Sequence, residues 1–260
     1  MKLEVISRQP EQQTHSTPLL FVHGAWHGAW CWQDYFLPYF AAQGWECHAL
    51  SLRAHGSSEG KIRWASGANY VEDVAQVAAG LSTTPIIIGH SMGGYVAQKY
   101  LENHTAPAAV LLTPIPSSGI FGFALRSLLH QPLDMLRLFA ALDPYKLVDT
   151  PEKTHYAFFS DDMPREQVER YFKNLQSESF RVLHDTLWLN LPRPRRVNTP
   201  MLVLSAENDR VFTVGEHAAT ARAYHAEHKV FPDMAHDVML EKDWQKVADT
   251  VIEWLSARGL

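Results

Sequence analysis

The stretch Pro85-Ile86-Ile87-Ile88-Gly89-His90-Ser91-Met92-Gly93 constrains this chain more than any other. Pro85–Ile88 is a short apolar, β-branched run and reads as a buried strand. Tyr95–Leu101 reads as a helix. Between them stands Gly-x-Ser-x-Gly, which in this setting makes a sharp turn that lifts a serine hydroxyl above a sheet. Glycines flank Ser91 because such a turn leaves little room for side chains. Ser91 then sits at a helix N-terminus, where free N–H groups can stabilise a developing oxyanion. Ser91 is therefore expected to be a nucleophile, the plainer reading being a strand–helix turn with a capping serine.

Composition narrows the class. The chain has 260 residues, 46% of them hydrophobic and 20% charged, which suits one α/β unit with an insertion. A formal net charge of −5 without a basic cluster argues against a nucleic-acid partner. The densest positive run, Arg193-Pro194-Arg195-Arg196, reads as a solvated linker. The only cysteines, Cys31 and Cys47, form no disulfide framework, so reduced thiols and a cytoplasmic location are expected. No run of about 18 apolar residues exists and the first residues lack a signal-peptide core, so no membrane association is expected. A homodimer is left open.

Strand-like and helix-like segments alternate from Leu19 to Leu112. Strands are expected at Leu19–Val22, Glu46–Leu52, Ile86–Ile88 and Ala108–Leu112, with helices over Trp32–Ala42, Tyr70–Gly80 and after Ser91. Near-continuous apolar strands separated by helices imply an α/β fold with a parallel sheet covered on both faces. The alternation stops near Ile115. Phe121–Leu129, Leu133–Leu142 and Arg165–Leu175 carry helical periodicity instead, and no strand is expected until Pro200–Leu204. A helix near Gly215–Tyr224, a strand at Lys229–Phe231 and a helix over Leu240–Ser256 complete the chain. Residues 1–114 and 199–260 thus read as the core, and 115–198 as a helical cap insertion.

A serine hydroxyl needs a base, and the base needs an orienting group. Ligands of open α/β sheets bind beyond the strand C-termini. Asp209 lies in the loop after the strand at Met201–Ser205 and is the expected acid. Glu207 competes with it, and a turn or capping role is the plainer reading of Asp209. His236 follows the strand ending at Phe231 and is the expected base. The order Ser91, Asp209, His236 is the order this chemistry takes on this architecture. The N–H of Met92 and that of Ala25, in the loop His23-Gly24-Ala25-Trp26, are the expected oxyanion donors. Gly24, Trp26 and His90 are expected to contact substrate. Trp26 could instead only lid the core.

These residues resemble the α/β-hydrolase fold superfamily across essentially the whole chain. The resemblance rests on His23-Gly24, the Gly89–Gly93 elbow, the Asp209 loop and His236. Leu50–Ser58 is also similar to the superfamily's Arg-Gly-His-Gly-x-Ser loop, with Ala54 in place of a glycine. The resemblance implies an α/β-hydrolase fold: an eight-stranded, mostly parallel sheet with a cap after the sixth strand. More narrowly, His23-Gly24-Ala25-Trp26-His27-Gly28-Ala29-Trp30-Cys31-Trp32 resembles a signature of plant-type methylesterases and hydroxynitrile lyases. Those lyases carry a threonine where this chain has Gly24 and a lysine where it has Asp237. An aspartate would repel the anion that the lysine holds, and the glycine would leave room for a tetrahedral intermediate.

Hydrolysis of a small to medium, largely apolar carboxylic ester through a Ser91 acyl-enzyme is the expected activity, with no metal or organic cofactor. The alternatives are carbon–carbon hydrolysis, cofactor-independent dioxygenation, haloperoxidase-like chemistry, or ligand binding without catalysis. Cap residues Phe121, Phe123, Leu125, Leu128, Phe139, Tyr156, Phe158, Phe159 and Phe172 could line a pocket, though most are expected only to bury the cap helices.

Overall fold

A computed structural model describes residues 1–260. Seven strands form one sheet in the order β1-β3-β2-β4-β5-β6-β7. They are β1 (Val5–Arg8), β2 (Leu19–Val22), β3 (Cys47–Leu50), β4 (Ile86–His90), β5 (Ala109–Leu112), β6 (Met201–Ala206) and β7 (Glu227–Phe231). All neighbours pair in parallel except β1, which runs antiparallel to β3. The expected eighth strand is not formed. Only β1 precedes β2, because residues 9–18 carry two prolines and a polar run with no apolar face to bury.

The central strands β2, β3, β4, β5 and β6 are buried at every position. Ile86, Ile87 and Ile88 are each 0% exposed, and full burial of such side chains contributes about 1.5–3 kcal/mol apiece. Helices α1 (Phe36–Ala42), α2 (Gly67–Ala79) and α3 (Met92–Tyr100) follow β2, β3 and β4. The helix expected over Trp32–Ala42 is broken: a 3-10 turn at Ala29–Trp32 precedes α1. Cys31 and Cys47 are buried free thiols.

Between β5 and β6 there is no strand, only helices joined by loops: α4 (Phe121–His130), α5 (Pro132–Ala141), α6 (Pro151–Phe158), α7 (Arg165–Phe172) and α8 (Phe180–His184), the last running into a π-turn at Asp185–Leu189. Helices α6 and α8 had no counterpart in the periodicity. Thr150 caps α6 by accepting from the Lys153 N–H, with Pro151 in the first turn. Helices α9 (Val214–Ala223) and α10 (Trp244–Ser256) close the fold. Thr213 and Glu216 form a capping box at the start of α9. No helix is long and apolar enough to cross a membrane.

Candidate active site

The C-terminal ends of β2, β4, β6 and β7 bring the candidate residues to one edge of the sheet. In the register Val22 pairs with Gly89, which sets the Gly24–Ala25 loop beside the elbow. Ala206 pairs with Phe231, which sets the Asp209 and His236 loops together. Backbone bonds from Glu207 N–H to the Phe231 carbonyl and from Asn208 N–H to the Met234 carbonyl lock the last two loops.

Ser91 sits in the elbow with φ +51° and ψ −115°. Such a conformation costs about 1–3 kcal/mol in an ordinary residue. The Ser91 N–H donates to the Leu112 carbonyl, and the turn is packed around it. A methyl on Gly93 would lie 2.1 Å from the Val22 carbonyl oxygen and 2.6 Å from that of His23. Only glycine lets the helix start this close to β2.

His236 Nδ1 is 2.8 Å from Asp209 Oδ2, and His236 Nε2 is 2.9 Å from Ser91 Oγ. A carboxylate cannot donate, so Nδ1 carries the proton and Nε2 accepts from the Ser91 hydroxyl. Asp209 is itself fixed: its Oδ1 accepts from the N–H groups of Val211 and Phe212. Its competitor Glu207 is exposed. Burial disfavours the charged form of His236, but the Asp209 charge and hydrogen bond, with the Asp237 charge, outweigh it and raise the pKa above the ordinary value.

No protein acceptor takes up the N–H of Ala25 or of Met92, and both residues line the cavity beside Ser91. His23 explains how the first is aimed. Its Nδ1–H donates to the Gly24 carbonyl at 2.7 Å, on the peptide unit whose other end is the Ala25 N–H. Its Nε2 accepts from the Leu52 N–H at 3.0 Å, so the tautomer is defined. Burial, with the nearby His55 ring, pushes the His23 pKa well down and keeps the ring neutral.

The cavity above Ser91 has a volume of about 290 Å³. The Ala25–Trp26 loop, the elbow and the Asp209–Thr213 loop form its floor, and α4, α6 and α8 form its roof. Trp26 lines it. Gly24 and His90 do not, and both expectations of substrate contact are corrected. His90 is 1% exposed, and its Nε2–H donates to the His236 carbonyl at 3.1 Å. Burial, with the charges of His236 and His27, pushes its pKa down to about 3. The space beside Gly24 belongs to that ring: a methyl there would lie 2.7 Å from His90 Nδ1. Asp237 likewise does not face the cavity. It is 0% exposed and pairs with His27.

Of the cap residues singled out by sequence, Phe123, Tyr156 and Phe158 line the cavity. Phe121, Leu125 and Leu128 are exposed, Phe139 is half-exposed with its ring edge-on to Phe180, Phe159 is buried against Tyr171, and Phe172 packs on the core edge. The Phe158 ring stacks on His236 at 6.0 Å and tilts against Trp26 at 5.8 Å. Glu178 and Arg126 also reach the cavity, and no sequence signal marked them. Glu178 is fully enclosed by Tyr70 OH, His55 Nε2 and the Ser179 N–H. Burial pushes its carboxyl up, but the His55 charge and these hydrogen bonds hold it below the ordinary value. Arg126 is held by Glu216 and the Val211 carbonyl.

Comparison with known proteins agrees with this architecture. The AB hydrolase superfamily protein YisY of Bacillus subtilis is 26% identical over 214 residues, which span 76% of each chain. A pyrethroid hydrolase of Sphingobium wenxiniae is 28% identical over 97 residues, covering 37% of this chain and 34% of that protein. Among solved structures, a putative non-heme bromoperoxidase, BpoC, of Mycobacterium tuberculosis superposes with a TM-score of 0.80 at 16% identity, covering 99% of this chain and 97% of the other. An esterase of Exiguobacterium antarcticum superposes with a TM-score of 0.73 at 16% identity, covering 98% and 95%. Residues 19–250 match the alpha/beta hydrolase family, and the chain belongs to that family.

Proposed function

We propose that the protein is a carboxylesterase that cleaves small to medium, largely apolar esters through a Ser91 acyl-enzyme. The observation that carries this reading is the Ser91–His236–Asp209 hydrogen-bonded series, which opens between two unpaired N–H groups into a cavity lined mainly by apolar side chains. Ser91 Oγ attacks the ester carbonyl as its proton passes to His236 Nε2. Asp209 stabilises the resulting imidazolium. The N–H groups of Ala25 and Met92 hold the oxyanion. His236 then protonates the departing alcohol, and water attacks the acyl-enzyme by the same route. The relatives named as an esterase and as a pyrethroid hydrolase support ester chemistry.

A panel of p-nitrophenyl esters of increasing acyl length tests the proposal. Ser91→Ala is expected to lower kcat by several orders of magnitude, and a fluorophosphonate probe to label the wild-type protein only. Unchanged hydrolysis by Ser91→Ala would overturn it. The similarity to the putative bromoperoxidase supports a second reading, peroxide-dependent halogenation in the same pocket. Bromination of monochlorodimedone faster than hydrolysis of any ester in the panel would favour that chemistry.

A further inference from the structure

One buried charged pair has no part in the serine relay. Asp237 Oδ2 lies 3.0 Å from His27 Nε2, and His27 Nδ1 lies 2.7 Å from the Ala25 carbonyl oxygen. Neither acceptor carries a hydrogen. The imidazole satisfies both at once only with a proton on each ring nitrogen, as the cationic partner of the Asp237 carboxylate. Burial pushes the Asp237 carboxyl up, but the charge and hydrogen bond of His27 hold it below the ordinary value.

This pair joins the residue after His236 to the carbonyl of the residue whose N–H opens into the cavity. The turn it grips is strained: Trp26 sits at φ +66°, a conformation that persists only where surrounding contacts hold it. The Trp26 carbonyl is held in turn by the Gln176 N–H of the cap. We propose that His27 and Asp237 form a positioning dyad for the oxyanion loop, fixing Ala25 through its carbonyl and so aiming its N–H at the oxygen that becomes charged. This inference rests on the serine-esterase reading.

The dyad also balances charge beside the base. Asp237 faces His27 from the oxyanion loop, His90 from β4 and His236 in its own loop, with Cys31 and Glu241 close enough to feel its charge. His27 is the ring that Asp237 holds most closely, at 3.0 Å against 3.5 Å for His90. Removing that partner leaves the carboxylate to act on His236 and stabilises the protonated base.

The test uses the full chain and p-nitrophenyl esters. His27→Gln is expected to lower kcat roughly 10- to 100-fold with KM within about two-fold, because the oxyanion contact is made in the transition state. It should also move the acid limb of kcat/KM to higher pH. Asp237→Ala should lose a similar factor in kcat, and the double variant should lose little more. Asp237→Asn, which can donate to a neutral His27 and keep the bridge, should recover most of the activity lost in Asp237→Ala and move the acid limb down. A rise in KM at constant kcat, additive losses in the double variant, or no recovery by Asp237→Asn would overturn the dyad. If His27→Gln gives no cooperative melt, the Asp237→Ala and Asp237→Asn pair decides alone. Failure of the fluorophosphonate to label wild-type Ser91 would overturn the esterase reading, and the dyad with it. Normal labelling with unchanged kcat in His27→Gln overturns the dyad only.

Discussion

Ser91 Oγ and His236 Nε2 stand 2.9 Å apart although 145 residues separate them in the chain. The contact depends on Asp209, which fixes the proton on His236 Nδ1 and leaves Nε2 free to accept. Asp209→Asn keeps the shape but can donate to Nδ1, which favours the wrong tautomer. It is expected to lower kcat by roughly 10³–10⁴-fold with little change in melting temperature. Steady-state ester hydrolysis and a thermal melt check both parts.

The raised pKa of His236 sets the sign of the pH dependence. In the proposed mechanism the neutral ring is the base, so activity is expected to fall as pH drops through a pKa above the ordinary value of about 6.5. The acid limb of kcat/KM is expected above that value in the wild type. A pH–rate profile with its acid limb well below 6 would contradict the electrostatic account.

Gly24 is fitted to the His90 ring. Gly24→Ala would press a methyl to within 2.7 Å of His90 Nδ1 and 3.1 Å of Ser91 Cβ, displacing the elbow. The expected cost is about 1–3 kcal/mol of stability and at least a tenfold loss of kcat. Gly93→Ala meets two backbone carbonyl oxygens that cannot yield, and should give no soluble folded protein. Expression, melting and kinetics of the two variants rank them.

Phe123 in α4 and Thr186 beyond α8 both line the cavity. Phe123→Ala enlarges the space and should shift preference toward longer acyl chains. Thr186→Phe fills it and should shift preference toward shorter ones. Each is expected to change the ratio of kcat/KM between a long and a short ester by roughly 10- to 200-fold. The p-nitrophenyl series reads this directly.

Glu178 accepts hydrogen bonds on both oxygens from groups on three segments, the His55 loop, α2 and the cap. Glu178→Gln leaves the buried His55 without its carboxylate. Breaking such a pair costs about 3–5 kcal/mol. For a chain of this length the melting temperature should fall by roughly 6–20 °C. Calorimetry or circular dichroism measures the fall, and a change under about 2 °C would show that the network contributes little.

The elbow, the parallel core and the loops that carry Asp209 and His236 were legible because each rests on local chemistry. Apolar runs mark the strands β2, β4, β5 and β6, that of β4 being β-branched. Glycines mark the elbow, and loops after strand ends mark Asp209 and His236. The eighth strand was expected only by resemblance, and the polar segment before Leu19 cannot form it. Helix α8 has five residues, too few turns to show a period, and α6 gathers its apolar residues at its end, Tyr156–Phe158, rather than along one face.

By itself the sequence determined which residues could carry serine chemistry and in what order they occur, since strand, turn and helix signals are local. Only the tertiary structure decided how they meet. It placed Asp209 rather than Glu207 against His236, because the loops after β6 and β7 are locked together by backbone bonds. It turned His90 and Asp237 away from the cavity, because Gly24 leaves room for one ring and His27 holds the carboxylate. It selected Phe123, Tyr156 and Phe158 among many cap aromatics, because a helix face is buried or exposed only once its neighbours are in place.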